Sequence, residues 1–363
     1  MARPRKIEEF AAIAELERIF FDGHEARRAS AQPSASRRGG KPRSRIEVGI
    51  GDDAAVLAPS GRLVWTVDTA VEHVHFERAW LSLSDLGWRS FHAAASDVCA
   101  MGAEPWCALS SVIFPPQFSA RDLRELARGQ SAAARALGCR IVGGNLACGG
   151  ELSVTTTLLG RAPSVLLRSG ARPGDELWLC GDVGLAAAGL RLLQSGQTSR
   201  MRGARRALSA FRRPEAQRAW GLALAGRAHA AIDISDGLCG DAAHLARASQ
   251  VRLVIATPLL AAALSPALHA VAPKLGLSAL ELALYGGEDY ALLAAGPKRA
   301  RPKGARVIGC VERGQGVWLS PHAAPARAGA RATATDASRG LVRAGRGFEH
   351  SSGRAGRAPG RSK

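Results

Sequence analysis

Eight acidic side chains of this 363-residue chain stand beside glycines or at turns: Asp52 and Asp53 in GIGDDAAV, Asp68 in WTVDT, Asp97 in SDVCAMGAEP, Asp233 and Asp236 in DISDG, and Glu288 and Asp289 in GGEDY. Each sits at the edge of an apolar segment, and few Lys or Arg lie beside them. A buried carboxylate needs a partner, and several brought together repel one another unless cations fill the gap. Mg2+ suits such a set, because it takes a few carboxylates together with water and substrate phosphates. That is the arrangement of a phosphoryl-transfer site, where positioning and charge neutralisation do most of the chemistry. Singly, each motif reads as a turn or a helix cap; only the set points to a site. The glycine-rich turns lack the GxxxxGK(S/T) spacing of a P-loop. A kinase-type catalytic loop and a serine nucleophile elbow are also missing. Carboxylate-held metal must then carry much of any nucleotide phosphate recognition.

The elements that must position these side chains follow from periodicity. Residues 7–21 have helical apolar spacing. LVWTVDTAV (63–71) reads as a buried strand. Residues 84–102 read as a helix with an N-cap at Ser84-Asp85, 107–115 as a strand, and 121–138 as a helix ended by Gly138. IVGGN and ELSVTTTLLG read as strands around a glycine-rich turn. A second unit begins near residue 163. There, 174–184 reads as a strand running into a glycine turn, and 228–249 as strand, acidic turn and helix. VRLVIATPL, the end of GGEDYALLAAG, and RVIGCVERG add strands. The expected class is α+β in two units: 1–162, 163–320, and a basic tail 321–363.

Composition limits the alternatives. A length of 363 residues suits two domains, and 47% apolar residues suffice for their cores. There is no run of about 18 apolar residues, so no membrane span is expected. MARPRKIEEF lacks an apolar signal core, which reads as a cytoplasmic chain. Seven cysteines with no CxxC spacing argue against a disulfide framework or zinc site. The formal charge of +18 is concentrated: residues 23–45 carry seven Lys/Arg against one acid, and 321–363 carry nine against two. Both segments, including a basic insert at 23–44, have the composition of disorder. A further cluster of six Arg lies between Arg200 and Arg213. Such arms touch nucleic acid only non-specifically.

Taken in order, GIGDDAAV, TVDTAVEHVHF, SDVCAMGAEP, GGN, RSGARPGDELWLCG, AIDISDGL and GGEDY resemble the thiamine-monophosphate kinase family. Its wider superfamily includes aminoimidazole-ribonucleotide, formylglycinamidine-ribonucleotide and selenophosphate synthetases. The resemblance runs from about residue 7 to 350, interrupted by the basic insert. It implies two α/β domains of the aminoimidazole-ribonucleotide synthetase-like fold, with N-terminal domains pairing into a barrel in a homodimer. It implies ATP and Mg2+ as cofactors and thiamine monophosphate as acceptor. By position, Asp53, Thr66, Asp68, Asp97, Asp233 and Asp236 match Mg2+ ligands, and the backbone around Val67 matches a further metal contact. Gly144, Arg168 and Ser235 match ATP contacts. His75, Glu288 and Phe348, the last in GRGFEH, match thiamine-phosphate contacts.

Two departures stand out. GGN replaces the usual GGD, so Asn145 brings a neutral carbonyl oxygen to a position that binds metal and nucleotide. His73 replaces a usual glycine. Two other readings stay open: another ATP-using enzyme of the superfamily, and a degenerate nucleotide-binding paralogue without catalysis.

Overall fold

The computed structural model describes residues 15–20, 45–50, 54–196, 201–322 and 341–344. Residues 15–20 are helical; the rest of the expected 7–21 helix, the 23–44 insert, Asp52, Asp53 and Phe348 lie outside the described residues.

Strand alternation builds the first sheet. β1 (Arg45–Val48) and β2 (Val56–Ala58) form a small antiparallel pair. β3 (Arg62–Val71), β4 (Glu104–Phe114), β5 (Arg140–Cys148) and β6 (Ser153–Ala162) form a four-stranded sheet in the order β3-β6-β4-β5. On β3, buried Val64 shares one face with Thr66 and Asp68, while Leu63, Trp65 and Val67 are exposed on the other. Two helices cover the Val64 face: α1 (Leu83–Ala100) and α2 (Ala120–Leu137). Ser82, two residues before the expected cap, starts α1 by accepting a hydrogen bond from the Asp85 N–H. Ser119 and Asp122 form a capping box on α2, and Gly138 ends it in the left-handed conformation. Part of the opposite face meets the β1–β2 pair around Trp106, Cys107 and Val142.

The second sheet has seven strands: β7 (Glu176–Cys180), β8 (Ala230–Ile234), β9 (Arg252–Ala256), β10 (Ala291–Gly296), β11 (Arg306–Glu312), β12 (Gly316–Ser320) and β13 (Val342–Arg343). Their order is β13-β12-β9-β11-β7-β10-β8, with β9 and β12 parallel. β13 comes from the segment read as a tail and pairs with β12. Helices α3 (Leu185–Gln194), α4 (Ala204–Arg212), α5 (Arg218–Leu224), α6 (Leu238–Ser249), α7 (Thr257–Ala263), α8 (Pro266–Val271) and α9 (Ala279–Tyr285) accompany this sheet. Among the described residues the arginine cluster is not a free arm. Arg205, Arg206 and Arg212 lie on α4 and Arg213 ends it; Arg206 faces Asp182, Arg212 donates to the Trp80 carbonyl, and Arg213 pairs with Asp85.

α1 connects the two sheets. Its buried face packs on β3 and β6, while Ala100 joins a cluster with Trp178, Leu224, Ala231 and Leu292 of the second half. The seven cysteines are free thiols. No single helix among the described residues is long and apolar enough to cross a membrane.

Candidate active site

The position of α1 explains how distant acids meet. Thr66 on β3 donates a 2.6 Å hydrogen bond to the Asp97 carboxylate near the end of α1. The preceding residue, Ser96, donates at 3.0 Å to Asp233 at the end of β8. One helical turn thus links a strand of each sheet. Burial pushes the Asp68 carboxyl above its ordinary range, and the charges of Asp97 and Glu288 push the same way. Burial, reinforced by Asp97, pushes Asp233 up to about 7, although the Ser96 hydroxyl and the Arg168 charge oppose the shift. Asp68, Asp97, Asp233 and Arg168 therefore share one electrostatic neighbourhood.

Two loops close the site and are laced together through their backbones. The Glu288 N–H donates to the Ser235 carbonyl at 2.7 Å, and the Tyr290 N–H donates to the Ile234 carbonyl at 2.9 Å. A Cβ on Gly287 would lie 2.5 Å from the Ser235 carbonyl oxygen, so only glycine permits this approach. Asp241, in the first turn of α6, accepts from the N–H groups of Ser235 and Asp236, both at 3.0 Å. Burial pushes Asp241 up to about 8. Asp241 has no place in the motifs read from sequence; an acid in the first turn of a helix after a glycine loop is the signal that could have found it. Asp289 proves to be a cap: it accepts from Gly184 N–H at 2.5 Å and Ala186 N–H at 3.0 Å at the start of α3. Burial pushes it up to about 7. The neighbouring Glu288 carboxylate pairs with buried Arg89 of α1, a residue without a sequence motif to mark it.

The other expected residues divide. His75 lies just past the end of β3, where its Nδ1 accepts from the Val71 N–H at 3.1 Å. His73 is exposed, bonded to Glu77 at 3.0 Å, and has φ 66°, the left-handed conformation that glycine adopts without cost. On Gly144, a Cβ would lie 1.8 Å from the Ser110 carbonyl oxygen, so the β5 backbone needs glycine there. Asn145 is not beside these acids. It pairs with Ser111, and Ser111 pairs with Thr155, which pairs with Thr69. Three strand spacings separate β5 from β3, roughly 14 Å at about 4.8 Å each. Asn145 also shares the face of Thr69, opposite Thr66 and Asp68. Val67 turns its side chain to that same open face, leaving its backbone as the part nearest the acids.

Among the described residues no three His, Cys, Asp or Glu side chains form a metal cage by themselves. The donor set nevertheless fits Mg2+, which rarely takes an all-protein cage and completes its shell with substrate phosphates and water. Asp68 and Asp233 are carboxyls that burial and repulsion from Asp97 hold above their ordinary range, and a cation would relieve both effects.

Residues 51–162 match the family described as "AIR synthase related protein, N-terminal domain". With the two sheets and the carboxylate set between them, the class is that of the AIR synthase-like fold. Thiamine-monophosphate kinase from Aquifex aeolicus is 35% identical over 273 residues, covering 74% of this chain and 88% of that protein. The Mycobacterium tuberculosis H37Rv thiamine-monophosphate kinase is 36% identical over 282 residues, covering 76% and 82%. A solved structure of AaThiL complexed with AMPPCP and TMP aligns with a TM-score of 0.68 at 32% identity, covering 71% of this chain and 83% of that one. The chain belongs to the thiamine-monophosphate kinase family, and it is a kinase.

Proposed function

We propose that this kinase transfers the γ-phosphoryl group of ATP to thiamine monophosphate, giving thiamine diphosphate and ADP. The observation that carries this reading is the convergence of Asp68, Asp97 and Asp233 from β3, α1 and β8 in a chain so similar to thiamine-monophosphate kinases. A relative solved with AMPPCP and TMP supports the choice of donor and acceptor.

The acceptor phosphate oxygen is anionic at neutral pH, so it attacks the γ-phosphorus without a strong general base. A bond forms from that oxygen to the γ-phosphorus, the bond from the γ-phosphorus to the β-bridging oxygen breaks, and ADP leaves. The chain's own task is to align two polyanions and offset their repulsion. Asp68, Asp97 and Asp233, with Thr66, Asp53, Asp236 and the Val67 backbone, would hold Mg2+. When bound, Mg2+ would supply positive charge that offsets the negative charge of the phosphates. Arg168, Ser235 and the tightly packed Gly144 of β5 face the nucleotide in this reading. His75, Glu288 and Phe348 face the acceptor, whose cationic ring suits a carboxylate and an aromatic face.

The same reading takes 1–162 and 163–320 as domains, 321–363 as a basic tail, and a homodimer as the working unit. The open face of the four-stranded sheet, with exposed Leu63, Trp65, Val67, Leu109 and Ile113, is the surface that would close a barrel. A two-fold axis along that barrel sets β5 of one copy beside β3 of its partner. Asn145 would then serve the partner's acids, which reconciles its expected role with its distance from Asp68. The test is ADP release by the purified chain with ATP and Mg2+, with and without thiamine monophosphate. Release that depends on the acceptor supports the reading; no release, or release indifferent to the acceptor, defeats it.

A further inference from the structure

We propose that Arg89 is a positioning residue of the acceptor site, the buried cation that fixes the Glu288 carboxylate in place. This rests on the reading of Glu288 as an acceptor contact.

Arg89 lies in the middle of α1, two helical turns before Asp97, and only 4% of it is exposed. A guanidinium in such a place needs partners for its charge and its donors. Its charge has one, and one of its donors another, from two other parts of the chain. One terminal nitrogen, Nη2, pairs with the Glu288 carboxylate; the other, Nη1, donates to the carbonyl of Phe211 on α4. The guanidinium carbon also stands 4.4 Å from the centroid of the Phe211 ring. Burial opposes the charge of Arg89, but the Glu288 and Asp68 carboxylates favour it.

The carboxylate it holds sits in a loop that backbone preference alone would not fix. Glu288 has φ 66° and Tyr290 φ 50°, both left-handed and neither a glycine. Such conformations persist where surrounding structure over-determines them, and they gather at functional sites. The Ser235 carbonyl holds the Glu288 N–H, and Arg89 holds its side chain. The Glu288 side chain is 32% exposed, so it is anchored on one side and open on the other. That is the geometry of a carboxylate presented to a cationic ligand. Asp68 lies close enough to repel Glu288. Without Arg89 the carboxylate would swing away from the other acids, and the acceptor's cationic ring would lose a fixed counter-charge. The phosphate-facing acids keep their own partners in Thr66 and Ser96, so the nucleotide side would feel little of the change.

Steady-state kinetics with ATP and thiamine monophosphate varied separately, alongside thermal unfolding, test this in the full chain. Wild type that makes no thiamine diphosphate refutes the function reading itself; the outcomes below apply to an active wild type. Arg89→Met should raise the acceptor KM about tenfold and leave the ATP KM within about twofold. Arg89→Lys, which keeps charge but not the fork, should give an intermediate acceptor KM. Arg89→Met combined with Glu288→Gln should be no worse for the acceptor than Glu288→Gln alone, because both act through one contact. Equal rises in both KM values, a lowered Tm with unchanged kinetics, or multiplicative effects in the double variant would overturn the proposal. If Arg89→Met fails to fold, Arg89→Lys decides: a several-fold rise confined to the acceptor KM supports the positioning role, and no rise refutes it.

Discussion

Asp233 is subject to two opposed demands: burial favours its protonated form, while a metal site needs it ionised. Its folded value of about 7 lies above the ordinary 3.8, so the native protein keeps a proton that the unfolded chain has lost between about pH 4 and pH 7. The native state then binds more protons than the unfolded state, and stability of the metal-free protein falls as pH rises through that window. The loss is on the order of a few kcal/mol, since a tenfold difference in proton affinity between the two states corresponds to about 1.4 kcal/mol. Asp233→Asn cannot ionise and escapes the loss. In chelator, its Tm should exceed that of wild type at pH 8, with the gap closing toward pH 4.5. A gap independent of pH would show that desolvation of this carboxylate does not shape stability.

At the scale of elements, the acids near glycines turn out to be of two kinds. Asp68, Asp97 and Asp233 converge through β3, α1 and β8, whereas Asp289 caps α3 and Asp241 braces the DISDG loop. Asp289→Ala should leave the buried Gly184 and Ala186 N–H groups unpaired and cost about 1–3 kcal/mol. Denaturant unfolding would read this as a lower midpoint with unchanged slope; an unchanged midpoint would remove the capping role. Sequence could not separate Asp233 from Asp289, because both stand at the edge of an apolar run and their partners, Ser96 and Gly184, lie 137 and 105 residues away. What was legible has local punctuation: Gly138 closing α2 and the strand–turn–helix of 228–249. The strand at 63–71 was legible too, but as a buried one, whereas Leu63, Trp65 and Val67 of β3 are exposed. What was not legible depends on distant partners. The arginines of α4 read as a solvated cluster until Asp182, Trp80 and Asp85 supplied partners. β12 joins β9 in parallel, and β13 adds to it from the tail, without an alternation long enough to announce either. Arg89 carries no motif, and only the packing of α1 between two sheets shows its importance.

Across the whole molecule, the four-stranded sheet is covered by helices on one face, while the other leaves an apolar row with Trp65 72% and Val67 61% exposed. An apolar patch of this kind marks an interaction surface, and the homodimer proposed above would cover it. Trp65→Glu should convert dimer to monomer in sedimentation velocity and lower turnover, since Asn145 would no longer reach the partner's acids; a dimer that survives the substitution would place the interface elsewhere. The central claim is direct transfer between two bound phosphates, and isotope tracing tests it most directly. With ATP labelled in its γ-phosphoryl group, the label should appear in the terminal phosphate of thiamine diphosphate, one for each ADP formed. Label released as inorganic phosphate, or thiamine diphosphate left unlabelled, would contradict it.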